Sequence, residues 1–169
     1  MKTFFKISLL LFCSIFLSCS SSSNYSKNTL AQNFFKGKTI TFLLDHKSVS
    51  DVNVRGPRIG TSEQPDVKIV FQQSIEELAS ETKLNLKFIE SASKVAANET
   101  TVEVTITDIL WKFGFSSAEM RTSLDYKVIL NNKIYKINGT HTSGGGSKEN
   151  NLRKSLKNAT YNFLKELEK

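Results

Sequence analysis

Cysteine, histidine and proline are scarce in this chain of 169 residues, which has two of each. Two cysteines cannot build the disulfide framework of a small secreted scaffold or a multi-cysteine zinc module. Two prolines and eight glycines exclude collagen-like and proline-rich polymers. Hydrophobic residues make up 39% of the chain and charged residues 23%, which is enough apolar content for a core. The length and composition therefore predict one globular domain.

The amino terminus has the pattern of an export signal. Lys2 and Lys6 provide a basic start, residues 7–17 are almost wholly apolar, and small residues follow. This order is typical of a secretory signal peptide. The apolar run is shorter than the roughly 20 residues that a membrane-spanning helix needs. Residues 1–18 are therefore predicted to be a signal peptide.

Cys19 stands directly after the apolar run, preceded by Phe16-Leu17-Ser18 and followed by Ser20. This arrangement resembles the lipobox of bacterial lipoproteins, although Phe16 stands where leucine is usual. The resemblance implies that the sulfur of Cys19 receives a diacylglycerol and that cleavage makes Cys19 the first residue, whose amine is usually acylated. Two or more acyl chains hold a protein stably on a membrane. The alternative is ordinary cleavage after Ser18 or Ser20, which would release a soluble protein.

Loss of the signal changes both the thiol content and the charge. Cys13 lies within the apolar run, so a mature chain that begins at Cys19 has no free thiol for a disulfide or a nucleophile. The signal contains two of the 23 basic residues and none of the 16 acidic ones, which leaves a net charge of +5. At an envelope surface this charge favours anionic lipid or lipopolysaccharide over nucleic acid as a partner. Solubility alone is the simpler interpretation of the same charge.

Residues 20–33 are rich in serine and asparagine and show no hydrophobic periodicity. This composition predicts a flexible tether behind the lipidated cysteine, so that residues 19–33 form the anchor and tether. The folded domain is then predicted over residues 34–169.

The first half of this domain predicts a strand, a loop, a helix and a second strand. Residues 38–45 alternate as a strand does, and residues 46–64 are polar and broken by glycine and proline. Asp66 is a suitable helix cap, and the apolar residues after it recur at helical spacing: Val67, Val70, Phe71, Ile75 and Leu78. Residues 84–89 form a short strand candidate.

The second half begins with the strongest strand signal, over residues 100–115. The apolar residues change parity near Asp108, which predicts a β-bulge there rather than an active-site acid. Two strands, 123–130 and 133–139, flank Asn131-Asn132, which suits a two-residue hairpin turn because asparagine tolerates positive φ. Leu124, Tyr126, Val128 and Leu130 are predicted to line one face of this hairpin.

A long amphipathic helix ends the chain, with Asn150 or Asn151 as the expected cap. Its apolar stripe consists of Leu152, Leu156, Ala159, Phe163 and Leu167. The opposite side is predicted to be basic and to carry Arg153, Lys154, Lys157, Lys165 and Tyr161. Such a face is usually solvated, and it also suits contact with an anionic membrane or partner. The fold class is α+β: a mixed, mainly antiparallel sheet of four or five strands with two amphipathic helices on one face.

Residues that carry chemistry are few. His46 and His141 lie in or beside predicted loops without metal-ligand spacing, and there is neither a nucleophile elbow nor a catalytic cysteine. Catalytic residues, metal ligands and cofactors are therefore not predicted. Arg55 and Arg58 lie in the long loop, where they fit either a contact with an anion or partner or an ordinary surface turn.

The overall layout resembles small envelope lipoproteins, namely the YajG-like outer-membrane lipoproteins and, more distantly, the lipopolysaccharide-assembly lipoprotein LptE. Residues 40–58, 123–139 and 152–167 carry this resemblance as a pattern of elements. It implies a non-catalytic domain with a mixed sheet and helices packed on one face, which serves envelope assembly or maintenance. The domain is predicted to be anchored to the outer membrane and to face the periplasm. Its expected partner is an envelope protein, anionic lipid or lipopolysaccharide. Two alternatives remain open: a surface-displayed lipoprotein that binds an external partner, and an envelope enzyme without a recognisable motif.

Overall fold

A computed structural model describes residues 30–56, 63–91 and 99–169. In this part of the chain there are three helices: α1 (Gln32–Phe35), α2 (Val67–Thr82) and α3 (Lys148–Leu167). There are also six strands: β1 (Thr39–Leu44), β2 (Asn53–Arg55), β3 (Asn85–Ile89), β4 (Thr100–Phe113), β5 (Ala118–Val128) and β6 (Lys133–Ser143). The α+β class with a mixed sheet is confirmed, and β2 and α1 are additional to the predicted elements.

All six strands belong to one sheet, with the order β3-β1-β4-β5-β6. Strand β1 pairs in parallel with β3 and with the first half of β4, and β2 pairs in parallel with the second half of β4. The two longer pairings, of β4 with β5 and of β5 with β6, are antiparallel. Strand β4 is thus shared by the parallel and the antiparallel halves of the sheet.

The predicted β-bulge in β4 is confirmed. Ile106 pairs with Leu124 and Asp108 pairs with Ser123, so Thr107 is an extra residue in β4. Ile106 and Ile109 are both fully buried even though three positions separate them, whereas Asp108 is exposed. The bulge therefore keeps the apolar side chains of both halves of β4 on one face of the sheet.

Helices α2 and α3 cover that face and form the core with it. The predicted apolar residues of α2 are all buried, and Asp66 caps the helix by accepting a hydrogen bond from the Ile69 amide. On α3, Phe163 stacks on Tyr126 with ring centroids 4.4 Å apart and meets the edge of Phe42. This aromatic cluster joins the last helix to the centre of the sheet.

Four local predictions differ from the structure. Val128 pairs with Lys133, so the hairpin turn spans the four residues 129–132. Leu130 lies in this turn and is 91% exposed, instead of lining the strand face with Leu124 and Tyr126. Strand β6 continues to Ser143, which places His141 in a strand. The cap of α3 is Ser147, which precedes both predicted asparagines.

The fourth difference concerns the start of the domain. Leu30 is buried in the core, and α1 places Phe35 there as well. The folded domain therefore includes residues 30–33, which were assigned to the tether. These residues are mostly polar, so their composition does not indicate that Leu30 is buried. Its burial depends on contacts with the rest of the fold.

Gly139 determines how closely α3 approaches β6. A β-carbon at this position would lie 2.8 Å from both the Ala159 β-carbon and the Thr122 hydroxyl oxygen, and it would overlap the Ser155 carbonyl oxygen. A helix backbone and a strand meet here without an intervening side chain. Glycine is therefore required by the close approach of the two backbones.

We expect Gly139→Ala to lower the free energy of unfolding by about 1–3 kcal/mol, because the added methyl group must displace α3 from the sheet. Gly144→Ala is the matched control: no atom lies within 4 Å of its added methyl group. Its effect should stay within about 0.5 kcal/mol. Urea denaturation of both variants tests this packing, and equal effects would contradict it.

Candidate functional site

A cleft of about 570 Å³ opens at the carboxyl ends of β1 and β3, beside the first turn of α2. It is lined by Leu44, Asp45, His46, Ser48, Val49, Ser50, Gln64, Pro65, Asp66, Val67, Lys68, Phe88, Ile89 and Glu90. In open α/β sheets the carboxyl ends of parallel strands are the usual place for ligands. We refer to this feature as the cleft.

The cleft forms at the gap between two pairings on the same edge of β4. The chain pairs with β4 along β1, leaves it, and pairs with it again along β2. The Asp45 amide still donates to the Val104 carbonyl oxygen at 2.8 Å, and the Val49 amide donates to the Ile106 carbonyl oxygen at 2.9 Å. Between them, the Ser48 hydroxyl oxygen accepts a hydrogen bond from the Ile106 amide at 3.0 Å. Residues 45–49 therefore arch away from the sheet and form one wall of the cleft.

Asp45 holds this arch in place. Its carboxylate accepts hydrogen bonds from the Lys47 amide and from the Thr105 hydroxyl, both at 3.1 Å. The bond from the Lys47 amide is the main cause of a lowered pKa of the Asp45 carboxyl group. Burial opposes it, and the Thr105 bond and the positive charges of His46 and Lys47 lower the pKa further. Asp45 is thus ionised at neutral pH and gives the cleft a fixed negative charge.

His46 is the one sequence-predicted histidine that lines the cleft. Its Nδ1 lies 2.9 Å from an oxygen of Asp45, but its side chain is 87% exposed. A carboxylate beside an imidazole can orient a general base, and such a base needs a nucleophile or substrate within reach. The neighbouring Ser48 hydroxyl is already bonded to the backbone of β4. Among the described residues of the cleft, the contact between Asp45 and His46 therefore stabilises the arch and contributes to the charge of the site.

The remaining charges make the cleft acidic on balance. Asp66 lies at the amino end of α2 and accepts from the Ile69 amide at 3.1 Å, so its carboxylate offsets the positive end of that helix. Lys68 and Glu90 form an ion pair of 2.8 Å at the rim, where both side chains are more than half exposed. Such an exposed pair contributes little to stability. The cleft combines apolar walls with three carboxylates, and therefore fits a ligand that is part apolar and part cationic.

The two histidines are not brought together. His46 follows β1 and His141 lies on β6, so strands β4 and β5 separate them. Burial lowers the pKa of the His141 imidazole, and the positive charges of Lys154 and Lys157 lower it further. No group of three potential metal ligands occurs among the residues that the structure describes.

The predicted basic outer face of α3 is wrong for three of its residues. The side chain of Lys157 is 6% exposed and lies between α3 and α2, where its Nζ contacts Glu81 at 2.7 Å and Glu77 at 3.0 Å. Arg153 contacts Glu77 at 2.7 Å, and Tyr161 is buried. Lys157 and Arg153 join the two helices, so these three side chains do not form the predicted basic outer surface.

The other predicted contact residues have different positions. Lys154 is half-buried on α3, and Arg55 is exposed on β2 opposite Lys112. Arg58 and Cys19 lie outside the described residues. The anion-contact role therefore stays a prediction for Arg55, Arg58 and Lys154.

Lys157 offers a test of the contact between the helices. Burial lowers the pKa of its ammonium group, but hydrogen bonds to Glu81 and Glu77 outweigh this effect and raise the pKa above its ordinary value. We expect Lys157→Met to lose about 1–2 kcal/mol at neutral pH, less than a fully buried pair would, because Glu77 and Glu81 can gain water.

A basic group whose pKa is raised in the folded state stabilises the fold while it is protonated. The loss of unfolding free energy caused by Lys157→Met should therefore shrink as the pH rises through the pKa of Lys157. Denaturation at neutral and alkaline pH measures both effects. Lys154→Met is the control, with a small change at either pH. A Lys157→Met variant as stable as the native chain at neutral pH would rule out the stabilising role.

The cleft was missed at the sequence level, although a signal for it was present. Residues 38–45, the helix after Asp66 and residues 84–89 form a strand–helix–strand order, which is the usual connection between parallel strands. Reading this order as a parallel pair would have placed the ends of both strands at one edge. The polar residues after Leu44 would then have been site candidates.

Comparison with known proteins finds alignments to solved structures only. No family model matches the chain, and no curated protein matches it. The crystal structure of an uncharacterized protein aligns with a TM-score of 0.47 at 11% identity, over 76% of this chain and 92% of that chain. The hypothetical protein CT253 from Chlamydia trachomatis aligns with a TM-score of 0.38 at 14% identity, over 77% of this chain and 93% of that one.

Proposed function

We propose that this protein is a non-catalytic lipoprotein of the outer membrane, anchored by acyl chains on Cys19 and facing the periplasm. Its folded domain serves envelope assembly or maintenance by binding a partner in the cleft. The support for the anchor is the sequence around Cys19, which follows a short apolar run in the manner of a lipobox. None of the described helices is long and apolar enough to cross a membrane.

The observation that carries this proposal is that the amino-terminal entry of the domain and the cleft lie at opposite ends of strand β1. Leu30, the described residue nearest to Cys19, is in the core beside the amino end of β1. The cleft lies at the carboxyl end of β1. An anchor that enters at the Leu30 end leaves the cleft at the opposite end, where a partner can reach it without competing with the membrane.

The chemistry of the cleft favours a protein segment as the partner. Phe88, Val49 and Leu44 offer partly buried apolar surface, and Asp45 and Glu90 lie beside it. An apolar side chain flanked by lysine or arginine would satisfy both parts of this lining. Anionic lipid and lipopolysaccharide phosphates would be repelled by the same carboxylates, so these partners belong elsewhere on the molecule.

A photoreactive amino acid at Ser50, an exposed residue of the cleft, tests this proposal in native cells. We expect one dominant protein adduct, because a specific partner presents the same segment each time. Thr142, exposed on β6, is the matched control position and should give little of that adduct. Reversing the rim charge with Glu90→Lys should reduce the Ser50 adduct severalfold.

Equal adducts at Ser50 and Thr142, or a Ser50 adduct that Glu90→Lys leaves unchanged, would refute binding in the cleft. Protease added to whole cells checks the orientation in the same experiment. A domain that faces the periplasm survives this treatment, and degradation would instead favour the surface-displayed alternative.

A further inference from the structure

The turn between β5 and β6 exposes large apolar side chains. Leu130 is 91% exposed, Ile134 55% and Ile129 43%, all within six residues of the chain. These three side chains do not belong to the buried core of the domain. Contiguous exposed apolar surface typically marks a site of contact with another protein or a membrane. We refer to these three residues as the apolar tip.

The apolar tip lies at the Leu30 end of the domain. The Ile129 amide donates to the Thr101 carbonyl oxygen at 3.0 Å, and Thr101 pairs with Thr41 near the start of β1. The end of α3 is also here, since the Ala31 amide donates to the Glu168 carboxylate at 2.7 Å. The tip, the entry of the chain into the domain and the last turn of α3 therefore share one end of the molecule.

Lysines are exposed at two places on this end of the domain. Lys133 and Lys136 are exposed on β6 directly after the turn. A second group, Lys36, Lys38 and Lys83, lines a depression of about 390 Å³ together with the amides of Gln32, Asn33 and Asn85, and no carboxylate lines it. This end thus has apolar side chains at the β5–β6 turn, with ammonium groups beside them and at the β3 edge of the sheet. Interfacial membrane-binding surfaces combine the same two kinds of group.

The acidic residues near this end are largely engaged. Glu99 pairs with Lys87 at 2.9 Å, and Glu81 pairs with Lys157 at 2.7 Å. Glu166 pairs with Lys169 at 2.6 Å, and Glu168 accepts the bond from the Ala31 amide. The lysines around the tip and the depression therefore dominate the field at this end.

We propose that the Leu30 end docks directly on an anionic lipid surface, with the apolar tip at the boundary between head groups and acyl chains and the surrounding lysines on lipid phosphates. This inference rests on the proposed anchoring through Cys19. Ten residues separate Cys19 from Leu30, and even fully extended they span at most about 40 Å. The anchor thus keeps this end of the domain within about 40 Å of the membrane.

A second copy of the chain is the competing occupant of the tip. In a symmetric dimer the same patch meets itself, so Lys133 and Lys136 of one copy would face the same lysines of the other. This repulsion disfavours self-association, whereas each lysine is attracted to an anionic lipid surface. Charge complementarity therefore selects the lipid.

An environment-sensitive fluorophore on Leu130→Cys tests the docking in the full-length protein, purified from native membranes and reconstituted into vesicles. An acylated Cys19 has no thiol to compete for the label. We expect a blue-shifted emission and quenching by lipid-borne quenchers in phosphatidylcholine vesicles that contain phosphatidylglycerol. The control label on Phe115→Cys, fully exposed on the opposite turn of the sheet, should stay in water.

The lysine contribution has its own variants. Lys133→Gln and Lys136→Gln should each lower the ratio of lipid-inserted to water-exposed label at position 130 about fivefold. Lys47→Gln and Lys112→Gln, exposed residues at the cleft end, should leave it unchanged. Added salt should weaken the insertion, as expected for charges at a surface.

The outcomes separate this inference from the proposed function. A label at position 130 that stays in water, on protein whose Cys19 is acylated, overturns the docking and leaves the anchor intact. Protein without acyl chains refutes the anchor. A Cys19→Ser form of it, labelled at position 130 and mixed with vesicles, still decides the docking. A shift that depends on protein concentration and not on lipid identifies a second copy as the occupant and overturns the inference.

Discussion

Strand β4 is the constraint on which the rest of the structure depends. It pairs in parallel with β1 and β2 on one side and antiparallel with β5 on the other, so both halves of the sheet are built on it. The bulge at Thr107 keeps its apolar face continuous over fourteen residues. Without that extra residue, half of β4 would turn its isoleucine and tryptophan to solvent, and α2 and α3 would lose the common surface on which they pack. The arch at residues 45–49, and with it the cleft, follows from the way β1 and β2 divide the same edge of β4.

The packing of the two long helices explains why some of the charged side chains of this domain are not on its surface. Lys157 and Arg153 form ion pairs with Glu77 and Glu81 between α2 and α3. The cleft end has carboxylates, whereas the Leu30 end has lysines around an apolar turn. A moderate net charge therefore conceals two surfaces of opposite character. In the proposed function, this separation along the strands lets the Leu30 end face the membrane and leaves the cleft end for a partner.

Local features of the fold could be predicted from the sequence, and long-range ones could not. The period of Val67, Val70 and Phe71 fixes a helix and its buried face, and the change of parity near Asp108 fixes a bulge, because both depend on neighbouring residues alone. The position of Lys157 depends on where α2 packs against α3, which no local pattern contains. Burial of Leu30 and exposure of Leu130 likewise depend on contacts and turn length set by the whole sheet. The cleft needed the parallel pairing of β1 with β3, which the order of elements only implied.

The central claim is that acyl chains on Cys19 hold the Leu30 end of this domain at a membrane and leave the cleft free for a partner. The most direct test is the mass of the amino-terminal peptide of protein purified from its native membranes. The account predicts a peptide that begins at Cys19 and carries two or more acyl chains. An unmodified peptide that begins after Ser18 or Ser20 would contradict it, because the domain would then be a soluble exported protein without an anchor.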